Sequence, residues 1–160
     1  MDGSKAYRQL STRQLPEGHS ERIRQELITA GVNSYGLKKF AALYIYRIIH
    51  PYEHVVGAVY GRYGSGTHFA ELNEGMIIAT DRRIIFIDHK PGFTDLKEFT
   101  YDVVSGVERV NTFIFSSLTL FTRIGDITIH YANPLCVERF MEYVELRRLE
   151  SESSVVLPRG

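Results

Sequence analysis

Cysteine, tryptophan and long apolar runs are scarce or absent in this chain of 160 residues. Cys136 is the sole cysteine and there is no tryptophan. A single cysteine excludes a disulfide framework and a zinc site built from several thiolates. The longest apolar run, residues 40–46, is far shorter than the roughly 20 residues that cross a bilayer. No apolar segment follows the N-terminus, so no secretory signal is visible, and we expect a cytoplasmic protein.

An excess of charge of either sign is also missing. Lys and Arg number 19, as do Asp and Glu, so the formal net charge is zero. Proteins that bind nucleic acid usually carry a basic excess that displaces counterions from phosphates, so we expect no nucleic-acid partner. The charge is unevenly spread, because residues 1–50 hold eight basic and four acidic side chains and residues 51–133 hold seven and ten. Attraction to an anionic surface would therefore fall in the N-terminal part.

Two helices are predicted in the N-terminal part, after a polar segment of residues 1–16 that lacks apolar periodicity. The first helix has Ser20 as N-cap and ends at Gly31, with apolar residues on one side. The second covers residues 34–49 and ends before Pro51, since a residue that precedes proline disfavours helical geometry. These residues form a predicted helical arm.

Short runs of β-branched and aromatic residues follow Pro51 and predict strands. The seven predicted strands cover residues 54–63, 75–80, 83–88, 97–101, 104–110, 117–122 and 126–131. The connections are too short for crossover helices, so the sheet should be antiparallel. A tight hairpin is expected at residues 80–83, where Asp81 suits turn geometry.

One amphipathic helix is predicted after the last strand. Asn133 is the N-cap candidate and Pro134 occupies the first helical position. The helix carries an apolar stripe that can close the open end of the sheet: Val137, Phe140, Met141 and Val144. The predicted organisation is an N-terminal segment and arm at 1–50, a barrel at 51–150, and a mobile tail at 151–160.

The run GMIIATDRRIIFID and the strand that contains Phe99, Tyr101 and Asp102 resemble the bacterial pleckstrin-homology-like domains of the YokE type. The resemblance covers about residues 52–150. It implies an α+β, mainly β fold, a seven-stranded antiparallel barrel capped by a C-terminal helix. It also implies a non-enzymatic scaffold, mostly of unassigned role, some of whose relatives form homo-oligomers.

No catalytic, cofactor or metal site is expected from the residue spacing. The glycine-rich stretch at 57–68 lacks the Lys-Ser/Thr and the helix that a phosphate loop needs. His50 and His54 are four residues apart, but Pro51 interrupts the helical face that would let both bind one ion. Cys136 is expected to be a small buried residue rather than a nucleophile. We therefore predict a non-enzyme that uses no cofactor.

Phosphoinositide recognition is expected to be weak or absent. Headgroup-binding domains of this fold type resemble one another in placing several Lys and Arg around the first hairpin. Here Arg62 and His68 are accompanied by Glu71 and Glu74. The acidic residues cancel the attraction for a polyanionic headgroup.

The second helix is apolar around most of its circumference, so it needs more than one partner. The predicted partner-binding residues are Lys38, Lys39, Phe40, Ala42, Ile45, Arg47 and Ile49. The sequence leaves three possibilities open. The arm contacts a protein, including a second copy of the chain; its basic and apolar residues attach to an anionic membrane; or the first helix covers it within the chain.

Overall fold

The computed structural model describes residues 15–41, 45–64, 72–90 and 93–155. Three helical segments come first: α1 (His19–Thr29), α2 (Ser34–Ala41) and α3 (Ile45–Ile48). The strands that follow are β1 (Val55–Tyr63), β2 (Asn73–Thr80), β3 (Ile84–Lys90), β4 (Phe93–Phe99), β5 (Val104–Asn111), β6 (Ser116–Thr122) and β7 (Ile127–Ala132). Helix α4 (Pro134–Val155) closes the order.

The seven strands form one antiparallel sheet in the order β4-β3-β2-β1-β7-β6-β5, which confirms the predicted strand number and direction. Strands β4 and β5 lie at the two ends of the sheet and are not paired with each other in the described part of the chain, so the sheet is open rather than a closed barrel. Bulges between Val55 and Gly57 in β1, and between Val104 and Gly106 in β5, interrupt the ladders. Bulges of this kind increase the local twist of a sheet.

The inner core lies between the two halves of the sheet and α4. Val137, Phe140 and Val144 are fully buried there, as the apolar stripe predicts. Each such side chain contributes roughly 1.5–3 kcal/mol before conformational entropy is subtracted. Helix α4 packs closely on β1 because Gly57 has no side chain, and a Cβ there would lie 3.3 Å from the Phe140 Cα.

The outer face of strands β1 to β3 is also buried, under the N-terminal helices. Strand β2 is buried along almost its whole length, with side chains alternating between two cores. The outer core joins α1 residues Ile23 and Leu27 to the sheet residues Val55, Ala58, Met76, Ile78, Ile85 and Ile87. The arm is therefore one layer of the folded chain and not an appendage to it.

Several predicted boundaries differ from the structure. Helix α1 begins after Gly18, whose left-handed φ of 77° suits glycine, rather than after Ser20. Strand β4 ends at Phe99, and Tyr101 lies instead in a single 3₁₀ turn (Tyr101–Val103). Helix α4 continues to Val155, so residues 151–155 are helical, and the remaining residues of the predicted mobile tail lie outside the described part of the chain. At its start Asn133 Oδ1 accepts a bond of 2.9 Å from Leu135 N, which confirms the predicted cap.

Glu53 and Arg83 form a buried ion pair between the segment that follows α3 and the β2–β3 hairpin. Both Glu53 carboxylate oxygens accept bonds from Arg83, at 2.8 Å from Nε and 3.0 Å from Nη2. The carboxylate also accepts from Thr80 Oγ1 at 2.7 Å and from His50 N at 3.1 Å. Arg83 Nη2 in turn donates to Ile48 O at 2.8 Å. This network fixes the end of α3 to the hairpin that the sequence predicts at residues 80–83.

A second polar cluster fixes α1 to the segment after α3. The ring of His19 is buried, and its Nε2 lies 2.8 Å from Tyr46 O and 3.0 Å from Ile49 O. Glu26 Oε2 accepts a bond of 2.8 Å from Val55 N, at the start of β1. Burial acts to raise the pKa of Glu26, but bonds from His54, Val55 and Arg22 leave it below the ordinary value.

Removing the Glu53 carboxylate should destabilise the fold. We expect Glu53→Gln to lower the free energy of unfolding by roughly 3 kcal/mol, because Arg83 then loses its buried partner. Urea denaturation measures the change. The matched control is Glu98→Gln, which removes the exposed carboxylate 2.8 Å from Arg83 Nη1 and should cost less than about 1 kcal/mol. Equal losses in the two variants would contradict this account.

The stability of the chain should also fall in acid. Burial acts to raise the pKa of Glu53, but hydrogen bonds from Arg83 and Thr80 leave it below the ordinary value of 4.5. A carboxyl whose folded-state pKa is lowered stabilises the fold above its unfolded-state pKa, and that contribution is lost as the pH falls through the folded-state value. We expect the free energy of unfolding to decrease below a pH of about 4.5, and to decrease less steeply in Glu53→Gln. If the free energy of unfolding fell equally steeply with pH in the unaltered chain and in Glu53→Gln, Glu53 would not be a source of the acid sensitivity.

Candidate interaction site

The predicted partner-binding residues on the arm do not form one exposed surface. Lys38 and Arg47 are exposed. Ile45 and Ile49 are 1% and 0% exposed and pack in the outer core with α1, so coverage within the chain holds for these two residues. Ala42 lies outside the described residues, as do the side chains of Lys39 and Phe40. Ile45 and Ile49 are therefore buried within the chain, which corrects the prediction that they contact a partner. A partner role for Lys38 and Arg47 stays a prediction.

An aromatic groove opens elsewhere, where α2 meets the seam between β1 and β7. Its cavity measures about 480 Å³. The groove is lined by Tyr35, Tyr60, Gly61, Arg62, Phe115 and Tyr131. Four of these six residues are aromatic, and they come from α2, β1, the β5–β6 hairpin and β7. Such a concentration of aromatic surface around a few polar groups is typical of a binding site.

One end of the groove is polar and anchored to the sheet. Tyr35 OH donates a bond of 3.1 Å to Glu74 Oε1, and the same oxygen lies 3.3 Å from Arg62 Nη2. Arg62 Nη1 also donates to Leu72 O at 3.2 Å. The Tyr35 ring lies 6.0 Å from the Tyr60 ring, and burial together with Tyr35 raises the pKa of Tyr60 to about 12. Tyr60 is therefore neutral at physiological pH.

A second aromatic pair belongs to the hairpin and β7. The rings of Phe115 and Tyr131 meet edge to face, with centroids 5.9 Å apart. Tyr131 has a φ of 57°, in the left-handed region that bulky residues rarely adopt. Backbone strain of this kind costs about 1–3 kcal/mol and is concentrated at functional sites. The conformation of Tyr131 is thus a further indication that this groove has a role.

The groove continues into a second cavity, of about 320 Å³, toward the start of α4. The two cavities share Tyr60, Phe115 and Tyr131. The second is also lined by Ile114 and by polar residues such as Asn33 and Asn133. The combined surface has aromatic residues that line both cavities and polar residues that line one cavity each, such as Arg62 in the first and the two asparagines in the second.

Beside the groove, the turn between β5 and β6 presents an apolar tip, formed by Phe113 and Ile114. Phe113 is fully exposed and Ile114 is 64% exposed. The turn is well ordered by hydrogen bonds: Thr112 N donates to Phe115 O at 2.8 Å, and Thr112 Oγ1 donates to the same oxygen at 2.8 Å. Two large apolar side chains held in solvent on a fixed turn indicate an interaction site.

The residues considered for chemistry do not assemble into a reactive centre. Among residues 15–41, 45–64, 72–90 and 93–155, no group of three or more His, Cys, Asp or Glu could hold a metal ion. His54 Nδ1 lies 2.8 Å from Glu26 Oε1, and His130 Nδ1 lies 3.1 Å from Ser117 Oγ. Gly57 and Gly61 lie inside β1 rather than in a loop. These contacts serve the fold.

Sequence analysis did not find the groove or the tip. The groove residues lie up to 96 positions apart, so no local spacing reveals them. The tip had a usable signal, because three apolar residues in a row, 113–115, fall between two predicted strands. Turns favour Gly, Pro, Asn, Asp and Ser. An apolar triplet in a turn therefore suggests that the turn has a role besides reversing the chain.

The thiol of Cys136 should be unreactive in the folded chain. It is buried, its Sγ lies 3.4 Å from Gly31 O, and burial raises its pKa. Only the thiolate reacts. We expect a disulfide reagent such as Ellman's to label the native protein at neutral pH at least about 100-fold more slowly than the protein in urea. Labelling at similar rates in both states would show that this part of α4 is accessible.

No curated protein matches the chain. The pleckstrin homology domain of USP37 is 15% identical, with a TM-score of 0.44, over 58% of this chain and 97% of that one. The C-terminal domain of an unknown protein from Leishmania infantum is 16% identical, with a TM-score of 0.43, over 73% and 99%. A DUF1696 family protein with a pleckstrin-homology domain from Shewanella loihica PV-4 is 14% identical, with a TM-score of 0.33, over 76% and 96%.

The family model described as "Bacterial PH domain" matches residues 49–145. The match covers β1 to β7 and the first half of α4, the elements that carry the resemblance seen in the sequence. No described helix is both long and apolar enough to span a membrane. From the family match, and from a seven-stranded antiparallel sheet closed by a C-terminal helix, the chain belongs to the bacterial pleckstrin-homology domain family.

Proposed function

We propose that the chain is a cytoplasmic, non-catalytic interaction module that binds a protein partner through the aromatic groove and the apolar tip. The observation that supports this most directly is the tip. Phe113 and Ile114 are held in solvent by a hydrogen-bonded turn, directly beside a groove that four aromatic residues line. Exposed apolar surface on this scale is costly unless a partner covers it.

Protein is the partner class that fits the chemistry of the groove. Tyrosines offer large contact area with few rotatable bonds and a hydroxyl for hydrogen bonding, and they are enriched in protein interfaces. The charged groups at the site, Arg62 and Glu74, already pair with each other. A partner therefore gains mainly from burial of apolar surface, with polar contacts in each of the two cavities.

Two sequence-derived functions have less support. Attachment of the arm to an anionic membrane requires apolar side chains beside Lys38 and Arg47, but Ile45 and Ile49 are inside the outer core. Specific phosphoinositide binding requires several unpaired cations, whereas Arg62 is engaged by Glu74 and Leu72. Catalysis would need an activated nucleophile or base. The described polar groups of the two cavities are the Arg62–Glu74 ion pair, tyrosine hydroxyls, two asparagines and the buried thiol of Cys136, whose pKa burial raises.

Selection of peptides on the immobilised chain tests the proposal. A library of random 12-residue peptides displayed on phage should yield binders, and we expect Tyr35→Ala to weaken their affinity about tenfold or more, as for a hot-spot aromatic residue. Fluorescence polarisation of the synthetic peptides gives the dissociation constants. The matched variant Tyr35→Phe keeps the ring and removes only the hydroxyl that bonds Glu74, so it should bind nearly normally.

A remote variant and a lipid control complete the experiment. Leu146→Ala changes an exposed leucine on α4 and should leave peptide affinity unchanged. Vesicles of four parts phosphatidylcholine to one part phosphatidylglycerol should not co-sediment with the chain. Peptides that bind Tyr35→Ala as tightly as the unaltered chain would place the site elsewhere, and strong vesicle binding that Lys38→Glu abolishes would favour the membrane alternative.

A further inference from the structure

We propose that the partner of the aromatic groove is a second copy of this chain. In the dimer, the apolar tip of each copy enters the groove of the other about a two-fold axis. The inference rests on the proposed function, since it names the occupant of the same site. Three features of the described residues carry it: the arrangement of tip and groove, the area that they expose, and the charge around them.

The tip adjoins the groove, because Ile114 lines the second cavity and the next residue, Phe115, belongs to both tip and groove. It ends the turn that carries Phe113 and Ile114, and its ring lines both cavities with Tyr60 and Tyr131. A two-fold axis brings the same patch of both subunits together, so the patch must be complementary to itself. A projecting apolar tip beside an apolar groove meets this condition, because one rotation places each tip over the opposite groove.

The exposed apolar area suits a dimer of ordinary size. Five exposed residues of the groove and the tip contribute to the patch: Tyr35, Phe113, Ile114, Phe115 and Tyr131. With roughly 150–250 Å² for each fully exposed large side chain, their exposed fractions amount to about 600 Å² on each copy. A standard interface buries about 800 Å² per partner. Flanking polar residues would supply the rest.

The charge of the patch also permits contact with itself. A patch with net charge would repel its own copy across a two-fold axis. Glu108 and Arg109, which precede the tip on β5, are opposite in sign, and Arg62 is paired with Glu74. A membrane surface would instead be favoured by a basic cluster around the tip, and the described residues of this hairpin provide no such cluster.

Sedimentation equilibrium of the full chain over a range of concentrations tests the proposal. We expect a monomer–dimer equilibrium, and we expect Phe113→Ser to raise the dissociation constant about 30-fold or more, since the substitution removes two tip contacts from a symmetric dimer. Phe113 is fully exposed, so its replacement should leave the thermal midpoint unchanged at concentrations where the unaltered chain is monomeric. The matched control is Ile124→Ser, at the tip of the β6–β7 hairpin and 69% exposed, which should dimerise normally.

Mixing two variants tests reciprocal insertion. Phe113→Ser keeps the groove intact but loses one of the two apolar side chains of the tip. Tyr35→Ala keeps the tip intact but alters the groove. Each alone loses both contacts of its own dimer, but a mixed dimer keeps one tip in one groove. Equimolar mixing should therefore give more dimer than either variant alone, as measured by resonance energy transfer between differently labelled copies.

The outcomes separate this inference from the function on which it rests. A chain that remains monomeric at all concentrations, or a dimer that Phe113→Ser and Ile124→Ser affect equally, would overturn the proposal. If peptides still bind the groove in either case, the interaction site stands and its partner is a different protein. If neither dimer nor peptide binding depends on Tyr35, both proposals fail.

Discussion

Strands β2 and β3 are apolar on both faces, and the rest of the molecule is arranged to cover them. Ile77 and Phe86 face the inner core, while Met76 and Ile78 face the outer one. The inner face is covered by α4 and the other half of the sheet, as expected for a single sheet folded over a helix. The outer face would present a row of large aliphatic side chains to water without α1 and α3. Burial of that face makes the N-terminal helices part of the fold.

Apolar burial alone does not fix where the covering helices sit, since it lacks directional preference. Here hydrogen bonds and an ion pair, which are directional, fix the position of these helices. The Glu53 carboxylate accepts bonds from Arg83 and Thr80 on the β2–β3 hairpin and from the backbone of His50. The ring of His19 meets carbonyls at the end of the same segment. Each polar group lies at an edge of the outer core, where its bonds satisfy groups that burial would otherwise leave without water.

Local sequence signals predicted most of the sheet and the last helix. Alternation and turn residues placed all seven strands near their observed positions, and the pair Asn133 and Pro134 marked the start of α4, because these signals act within a few residues. The element that packs against Ile45 and Ile49 could not be predicted, because periodicity shows that a helix face is apolar and does not show what covers it. A signal was available: the apolar runs 76–79 and 84–87 do not alternate, which indicates strands that are buried on both faces.

The aromatic groove could not be predicted in this way, because it arises where the two halves of the sheet meet. Register pairs Arg62 of β1 with His130 of β7, and the approach is so close that a Cβ at Gly61 would lie 2.3 Å from His130 O. Tyr60 and Tyr131 flank this seam, and Tyr35 reaches it from α2. The groove therefore depends on contacts among elements far apart in sequence.

The position of Tyr35 links the groove to the cover of the sheet. Tyr35 belongs to the arm, and its hydroxyl bonds Glu74 on β2, so the groove is complete only while α2 is docked. A partner that contacts Tyr35 binds the docked chain better than any state in which α2 has moved away. Such a partner must stabilise the docked position of α2, by an amount set by the difference between its affinities for the docked and undocked states. The layer that shields β2 and β3 from water and the surface that we propose as the partner site are in this sense one structure, with Tyr35 as the residue common to both.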